Sequence, residues 1–444
     1  MKLENFNNLI ELFFYQAEKQ DPKSILLQWL NPNNKKSFTW EETKLNIFKL
    51  SKTIKENVKE GDRCLLVSEN RPEWFISDLA IMLSGAITVP AYTTYTDNDY
   101  KYLIEDCEPK IVIASNNDIL KKLNTTINEK NFIKKIITFD EVEKAYHNLN
   151  VDNKEKYLDF NSIIKNDLSE KDKIQNLNLK RSSAACIIYT SGTGGNPKGV
   201  ILSHGGILNN LEGACEIIKP LIDSRPVFLT WLPLSHSYEH TVQFAQIAVG
   251  AKVFYAEKIE KLLDNMAEAK PTIMTAVPRF YQNLYNKINI NMKKQTGFKA
   301  KLIQATIRLG KKKLLKEKMT FFEKLLNLML NVLVRKKVRK QFGGKLRAFV
   351  SGGGALDKEI GEFLNSIGLP TLQGYGLTET SPVVSCNPIH NIKVETVGPP
   401  FKGNKIKIFG KSTFRAKQFR LRNCFVNRVK IIVSAIQRGF NDSI

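Results

Sequence analysis

Short apolar runs rich in β-branched residues recur along the chain, each bounded by polar or glycine-containing stretches. RCLLVSEN (63–70), KIVIAS (110–115), AACIIYT (184–190), PVFLTWL (226–232), AKVFYA (251–256), TIMTAV (272–277) and LRAFVSG (346–352) predict buried strands. Between them, stretches such as EWFISDLAIMLSGA (73–86) carry helical spacing. Strands alternating with helices predict α/β layers around a largely parallel sheet. In such sheets ligands sit off the C-terminal ends of the strands, and several glycine-rich stretches here follow strands directly. Residues 140–180 are polar and predict a surface excursion before the strand at 184–190. No internal repeat is present.

Composition sharpens this picture. A chain of 444 residues is too long for one simple core, so two or three packed units are expected. With 42% hydrophobic and 25% charged residues, wholesale disorder is excluded. A net charge of +23 attracts anions: nucleotides, acidic lipid surfaces or nucleic acid. Residues 293–347 alone hold 18 Lys and Arg against Glu317 and Glu323, a net +16, so the rest of the chain is only mildly basic. Six cysteines form no CxxC pair and none lies near a histidine at metal-ligand spacing, which predicts a reduced, intracellular protein without structural zinc. The start, MKLENFNNLIELFF, is a poor signal peptide, and no apolar run reaches the roughly 18 residues of a spanning helix.

The strand at 184–190 runs into YTSGTGGNPKGV (189–200), and HGGILNNLEGAC after it has helical character. Strand, glycine-rich loop and helix form a phosphate cradle. Glycines let backbone N–H groups approach an anion, the hydroxyls of Thr190, Ser191 and Thr193 add donors, and Lys198 adds a point charge. The loop is not a Walker P-loop, because Pro197 rather than glycine precedes the lysine and Gly199 rather than Ser or Thr follows it.

At these residues the sequence resembles the AMP-forming adenylating enzymes, the acyl-CoA synthetase superfamily, whose loop reads [ST]SG[ST]TGxPKG. Ser191, Gly192, Thr193, Gly195, Pro197, Lys198 and Gly199 match; Gly194 replaces the usual Thr. Further segments follow in family order: SENRPEW (68–74), GAITVPAYTTYT (85–96), WLPLSHSYEH (231–240), SGGGALDKEI (351–360) and GYGLTETSP (374–382). The likeness covers about residues 40–405.

The resemblance implies a reaction and a site. A fatty-acid carboxylate attacks the α-phosphorus of ATP, and coenzyme A then displaces AMP. Thr190, Ser191, Gly192, Thr193, Gly194, Gly195 and Lys198 would hold phosphates. Gly352, Gly353 and Gly354 would flank the adenine, Tyr375 with Gly376 would stack on it, Thr378 would contact the α-phosphate, and Glu379 would bind Mg²⁺. His236 would position substrate rather than move a proton; His204 is expected to be structural. The implied fold is the large α/β N-terminal domain of adenylate-forming enzymes, residues 1–410, with layered sheets and a smaller β subdomain.

Inside 293–347 lies FFEKLLNLMLNVLV (321–334). Phe321, Leu325, Leu328, Met329, Val332 and Leu333 recur at spacings of three and four, one face of a helix between lysine- and arginine-rich flanks. Such a stripe suits an anionic bilayer surface, and a solvated charged helix packed on the core is the alternative. Nucleic acid is not expected, since no recognisable binding motif accompanies the charge. The expected location is cytoplasmic, or peripheral at the inner face of a membrane. A basic insert at this place resembles long-chain acyl-CoA synthetases more than acetyl- or aryl-specific relatives.

After ETVGPPFKGNKIKIFG (395–410) the family pattern stops. Residues 411–444 carry eight Lys and Arg, one acid (Asp442) and one glycine (Gly439), with no TGD motif. The expectation is a frameshifted or truncated gene lacking the small C-terminal domain, with impaired turnover; a divergent membrane-docking tail is the alternative. Two rival functions stay open: an acyl-adenylate ligase loading a carrier protein, and a non-catalytic membrane-associated nucleotide or acyl binder.

Overall fold

A computed structural model describes residues 2–140, 154–173, 178–190, 196–409 and 430–435. The chain forms two compact units, Met1–Asn209 with Pro233–Ala248, and Asn210–Leu232 with Val249–Ile444.

The strands of the first unit are β1 (Ile25–Trp29), β2 (Ser37–Thr39), β3 (Arg63–Val67), β4 (Ile87–Ala91), β5 (Ile111–Ala114), β6 (Lys135–Thr138), β7 (Tyr157–Asp159), β8 (Ala184–Thr190) and β9 (Lys198–Ser203). Seven make one sheet in the order β7-β6-β5-β3-β4-β8-β9, parallel throughout except for β8 against β9. β1 and β2 pair antiparallel. The helices are α1 (Leu9–Lys19), α2 (Trp40–Lys55), α3 (Pro72–Leu83), α4 (Asp97–Cys107), α5 (Asn117–Glu129), α6 (Phe160–Ile163), α7 (His204–Ile218, divided between the units) and α8 (Ser237–Ala248). The strands expected within 63–70, 110–115 and 184–190 are β3, β5 and β8. The polar stretch 140–180 is more than an excursion: β7 joins the sheet edge, and Tyr157, Phe160 and Ile163 are buried. A few apolar anchors inside a polar stretch suffice to tie it down, which is why composition hides it.

The core of this unit explains the SENRPEW segment. Pro72 opens α3, where its missing N–H costs nothing, and every residue of α3 is buried. Two of those residues are acids. Asp78 Oδ2 lies 2.7 Å from His240 Nε2. Burial works against the charged imidazole, but Asp78 outweighs it and raises the His240 pKa to about 10. Glu73 receives Arg71 Nε and Nη2 at 3.0 and 2.9 Å and Lys36 Nζ at 2.6 Å. Arg71 also donates to Glu69 and Asp140, each at 3.2 Å, and its guanidinium lies 4.6 Å from the Trp29 ring centroid. The charges in this segment are therefore a packing device, with Arg71 fully buried.

His204 is buried at the start of α7, where its Nδ1 accepts from Leu9 N–H at 3.4 Å. Burial drives its pKa down to about 4 from an ordinary 6.5. The unfolded chain takes up a proton at this histidine before the folded chain does. Its contribution to stability is complete above pH 6.5 and is lost as pH falls toward 4. His204→Asn is expected to flatten that part of the stability–pH curve, read as melting temperature of variant against wild type. Parallel curves would show that His204 takes up its proton alike in the folded and unfolded chain.

The second unit holds β10 (Val227–Thr230), β11 (Lys252–Tyr255), β12 (Ile273–Ala276), β13 (Ala348–Ser351), β14 (Thr371–Gly376) and β15 (Val383–Cys386), arranged β15-β14-β13-β12-β10-β11. All pair parallel except β15 with β14. β16 (Asn404–Phe409) and β17 (Lys430–Ala435) form an antiparallel pair. The strands expected within 226–232, 251–256, 272–277 and 346–352 are β10 to β13. The helices are α9 (Leu262–Ala269), α10 (Pro278–Lys293), α11 (Gly297–Leu314), α12 (Phe321–Leu330), α13 (Lys336–Lys340) and α14 (Lys358–Ser366), with a π-helical turn, Asn331–Arg335, joining α12 to α13.

α12 starts with a capping box between Thr320 and Glu323. Its apolar stripe faces outward: Phe321, Leu325, Leu328, Met329, Val332 and Leu333 are all exposed, while Leu330 and Arg335 turn inward. Cys64, Cys107, Cys186, Cys215 and Cys386 are free and buried; Cys424 lies outside the described residues, as do all of 411–429 and 436–444. Among the described residues no helix is long and apolar enough to cross a membrane.

Candidate active site

In the first unit, β8 and β9 form a hairpin whose connection is the glycine-rich loop. This corrects the expected strand–loop–helix order: KGVILS is a strand, so Lys198 and Gly199 sit on β9, opposite Thr190 and Tyr189. The run Val200, Ile201, Leu202 carried the β signal. Ser191, Gly192, Thr193, Gly194 and Gly195 lie outside the described residues. Thr190 is half-buried and Lys198 exposed, and among the described residues the Lys198 ammonium has no ion-pair partner.

The base of the hairpin is fastened from α4. Tyr189 is buried and donates its hydroxyl to the Asp106 carboxylate. Burial and that hydrogen bond both push the phenol pKa up. Tyr102 donates its hydroxyl to the Pro197 carbonyl at 2.9 Å. Tyr102 and Asp106 stand four residues apart, on one face of α4. Neither was singled out from sequence, because a Tyr and an Asp at helical spacing are unremarkable until the β8–β9 hairpin lies across them. Gly199 has its reason here too: a Cβ would stand 2.8 Å from Ile187 Cγ2 and 3.2 Å from Tyr189 Cζ. Gly199→Ala is expected to cost about 1–3 kcal/mol through overpacking, measured by urea unfolding. A neutral result would show that the Tyr189 ring moves freely.

His236 precedes α8 and is exposed. Its Nδ1 accepts from Tyr238 N–H at 3.1 Å, so the neutral ring carries its proton on Nε2. Partial desolvation lowers its pKa, which keeps that ring neutral. A neutral Nε2–H is a donor, suited to orienting an oxygen. The segment is held by Asn70, whose Oδ1 accepts from Leu234 N–H at 3.0 Å, so two family-like segments meet in one place.

In the second unit, β13 and β14 are parallel neighbours with Ser351 opposite Gln373. Gly352, Gly353 and Gly354 follow β13; Tyr375 and Gly376 end β14; Thr378 and Glu379 lie in the 3₁₀ turn Thr378–Thr380. All leave the sheet at the C-terminal edge, where parallel strands collect their ligands. Gly376 is required, since a Cβ would collide with the Pro382 carbonyl. The same carbonyl accepts from Leu377 N–H at 3.0 Å, closing the turn that presents Glu379. Tyr375 and Thr378 are half-buried, whereas Glu379 is exposed and has no ion pair among the described residues. No group of three or more His, Cys, Asp or Glu stands ready to hold a metal among the described residues. A lone, open carboxylate nevertheless fits Mg²⁺, which takes one or two protein oxygens and completes its shell with phosphates and water.

Residues 13–418 match the AMP-binding enzyme family. The chain belongs to this family. As an AMP-binding enzyme it is 30% identical, over 83% of its own length, to long chain acyl-CoA synthetase 3 of Arabidopsis thaliana. It is 28% identical, over 89% of its length, to the long-chain-fatty-acid–CoA ligase FadD15 of Mycobacterium tuberculosis. The matches span 56% and 64% of those relatives' own lengths. Among solved structures, the anthranilate CoA ligase AuaEII in complex with anthranoyl-AMP superposes with a TM-score of 0.67 at 18% identity, over 93% of this chain and 67% of that one. ATP-bound MatB from Rhodopseudomonas palustris gives 0.65 at 20%, over 92% and 67%. These structural likenesses establish the adenylate-forming fold of this AMP-binding enzyme.

Proposed function

We propose that this AMP-binding enzyme activates a long-chain fatty acid with ATP and passes the acyl group to coenzyme A. A fatty-acid carboxylate oxygen attacks the α-phosphorus, and the bond to pyrophosphate breaks. The coenzyme A sulfur then attacks the acyl carbon, the bond to AMP breaks, and the thiol proton goes to solvent. No protein nucleophile is needed, in keeping with the buried cysteines.

Lys198 carries the reading: an exposed lysine without an ion pair among the described residues, held on β9 opposite Thr190. In this reading Lys198, Thr190, Ser191, Gly192, Thr193, Gly194 and Gly195 hold phosphates. Gly352, Gly353, Gly354, Tyr375 and Gly376 receive the adenine, Thr378 meets the α-phosphate, and the Nε2–H of His236 orients the acyl oxygen. Glu379 would hold Mg²⁺, which when bound screens the charge of two anions brought together. Relatives named as CoA ligases favour coenzyme A over a carrier protein as acceptor. A bilayer beside the enzyme would supply the water-insoluble substrate.

The test is fatty-acid-dependent ATP–pyrophosphate exchange across acyl lengths. Exchange peaking at long chains and weakened by Glu379→Gln is expected. Folded protein that binds ATP without exchange would replace this reading with a non-catalytic binder. Equal thioester formation on holo-carrier protein and coenzyme A would overturn the acceptor assignment.

A further inference from the structure

Two features of the second unit have no part in the chemistry above. The first is the outward apolar face of α12 and the π turn, with Phe321, Phe322, Leu325, Leu328, Met329 and Val332 between 50% and 79% exposed. This face is rigidly presented. Arg335, buried behind it, donates to the carbonyls of Ser366 at 2.8 Å and of Asn327 and Thr306 at 3.2 Å each. An ordered apolar face of this kind marks an interface.

The second is a cavity of about 600 Å³ at the N-terminal edge of the second sheet, bordered by Thr272 before β12, Arg347 before β13 and Pro370 before β14. Lys336, Arg339, Lys345 and Arg347 line it against one acid, Asp223, which pairs with Arg347. Among the described residues no carboxylate partners Lys336, Arg339 or Lys345. Burial and the facing Arg347 lower the Arg339 pKa, the sign of a positive charge lacking an anion. Asn331 and Lys336 line the cavity from the helical segment that bears the apolar face, so the two features adjoin.

We infer that this face docks on an anionic bilayer, with the α12 side chains among the acyl chains and the phosphate of an acidic phospholipid in the basic cavity. Charge selects the occupant. A second copy of this chain would bring the same positive rim against itself across a twofold contact. Nucleic acid would satisfy the lysines and leave the apolar face in water. The purpose of the surface rests on the fatty-acid reading, since a long-chain acid partitions into the bilayer. Docking by this edge leaves the nucleotide-side edge of the second sheet, opposite along its strands, to water, where ATP and coenzyme A are found.

The experiment is co-sedimentation of the full chain with phosphatidylcholine vesicles, with and without phosphatidylglycerol, at low and high salt. Anionic vesicles are expected to bind at least about tenfold tighter than neutral ones, with the preference fading in salt. Leu325→Asp with Leu328→Asp should abolish binding. Lys336→Ala and Arg339→Ala should each weaken it by about fivefold, the worth of one basic residue near an anionic surface. Equal binding to both vesicles, no binding, or an apolar variant that binds like wild type would overturn the proposal. So would a dimer that Leu325→Asp with Leu328→Asp splits, or a cavity variant with undiminished lipid preference. Melting temperatures confirm that each variant is folded. ATP–pyrophosphate exchange with detergent-dispersed fatty acid, run on the same preparations, separates the two readings: exchange without vesicle binding sinks the surface alone, and vesicle binding without exchange sinks the enzymatic reading alone.

Discussion

Lys198→Ala is expected to slow fatty-acid-dependent ATP–pyrophosphate exchange by about 10²–10³-fold, the usual cost of removing one preorganised charge from a transition state. Two anions must meet in the proposed reaction, and charge builds on the phosphoryl oxygens as they do. In that reading Lys198 is the cation on the described part of the β8–β9 hairpin, placed by the Thr190 register and by the Tyr102 bond to Pro197. Its ammonium is exposed, so its loss leaves no buried charge behind, and melting temperature should not change. Lys198→Arg should recover little, because a planar fork replaces a compact point charge. A loss below about tenfold would remove Lys198 from the transition state and leave it a surface lysine.

Arg71→Met is expected to destabilise the chain by about 3–5 kcal/mol in urea unfolding, because removing one partner strands a buried charge on the other. Glu73 is fully buried and would keep only Lys36. In wild type, burial works against the charged Glu73 carboxylate, but Arg71 and Lys36 outweigh it and hold its pKa below the ordinary 4.5. This contribution is present above pH 4.5 and is lost as pH falls through the depressed value. In the variant, burial acts with one partner fewer, so Glu73 accepts a proton more readily. The gap between wild type and variant should narrow toward acid pH. Arg71→Met with Glu73→Leu should recover much of the loss, since an apolar pair of similar volume needs no compensation. A single variant as stable as wild type would show that Lys36 alone neutralises Glu73.

Much of the candidate site was legible because its residues are consecutive. Gly352 to Gly354 and 374–382 are short family-like segments, and a strand followed by glycines places them at a sheet edge. Strands β3, β5, β8 and β10 to β13 were legible for a similar reason, as brief apolar runs with clear breaks. Tyr102 and Asp106 were not, since they hold the β8–β9 hairpin at Pro197 and Tyr189, 95 and 83 residues away. Nor was β9 itself, whose opening Lys and Gly belong to a motif that reads as loop. The SENRPEW segment was found as a family likeness, but its arginine is a buried clasp and its asparagine a tether for the His236 segment.

By itself the sequence determined the α/β layering, the largely parallel character of the strands, the run of family-like segments and the presence of an amphipathic basic stretch. These depend on local pattern: period, breaks and short motifs, which the chain carries wherever it folds. Only the tertiary structure decided which way the insert faces. An apolar stripe buried against a core and one turned outward have the same spacing. The difference lies in Arg335, whose three carbonyl partners come from α11, α12 and α14 and turn the opposite side of the helix inward. The basic cavity likewise needed the fold, because Asp223, Lys336, Arg347 and Pro370 share one edge only after the parallel strands have brought their N-terminal ends together.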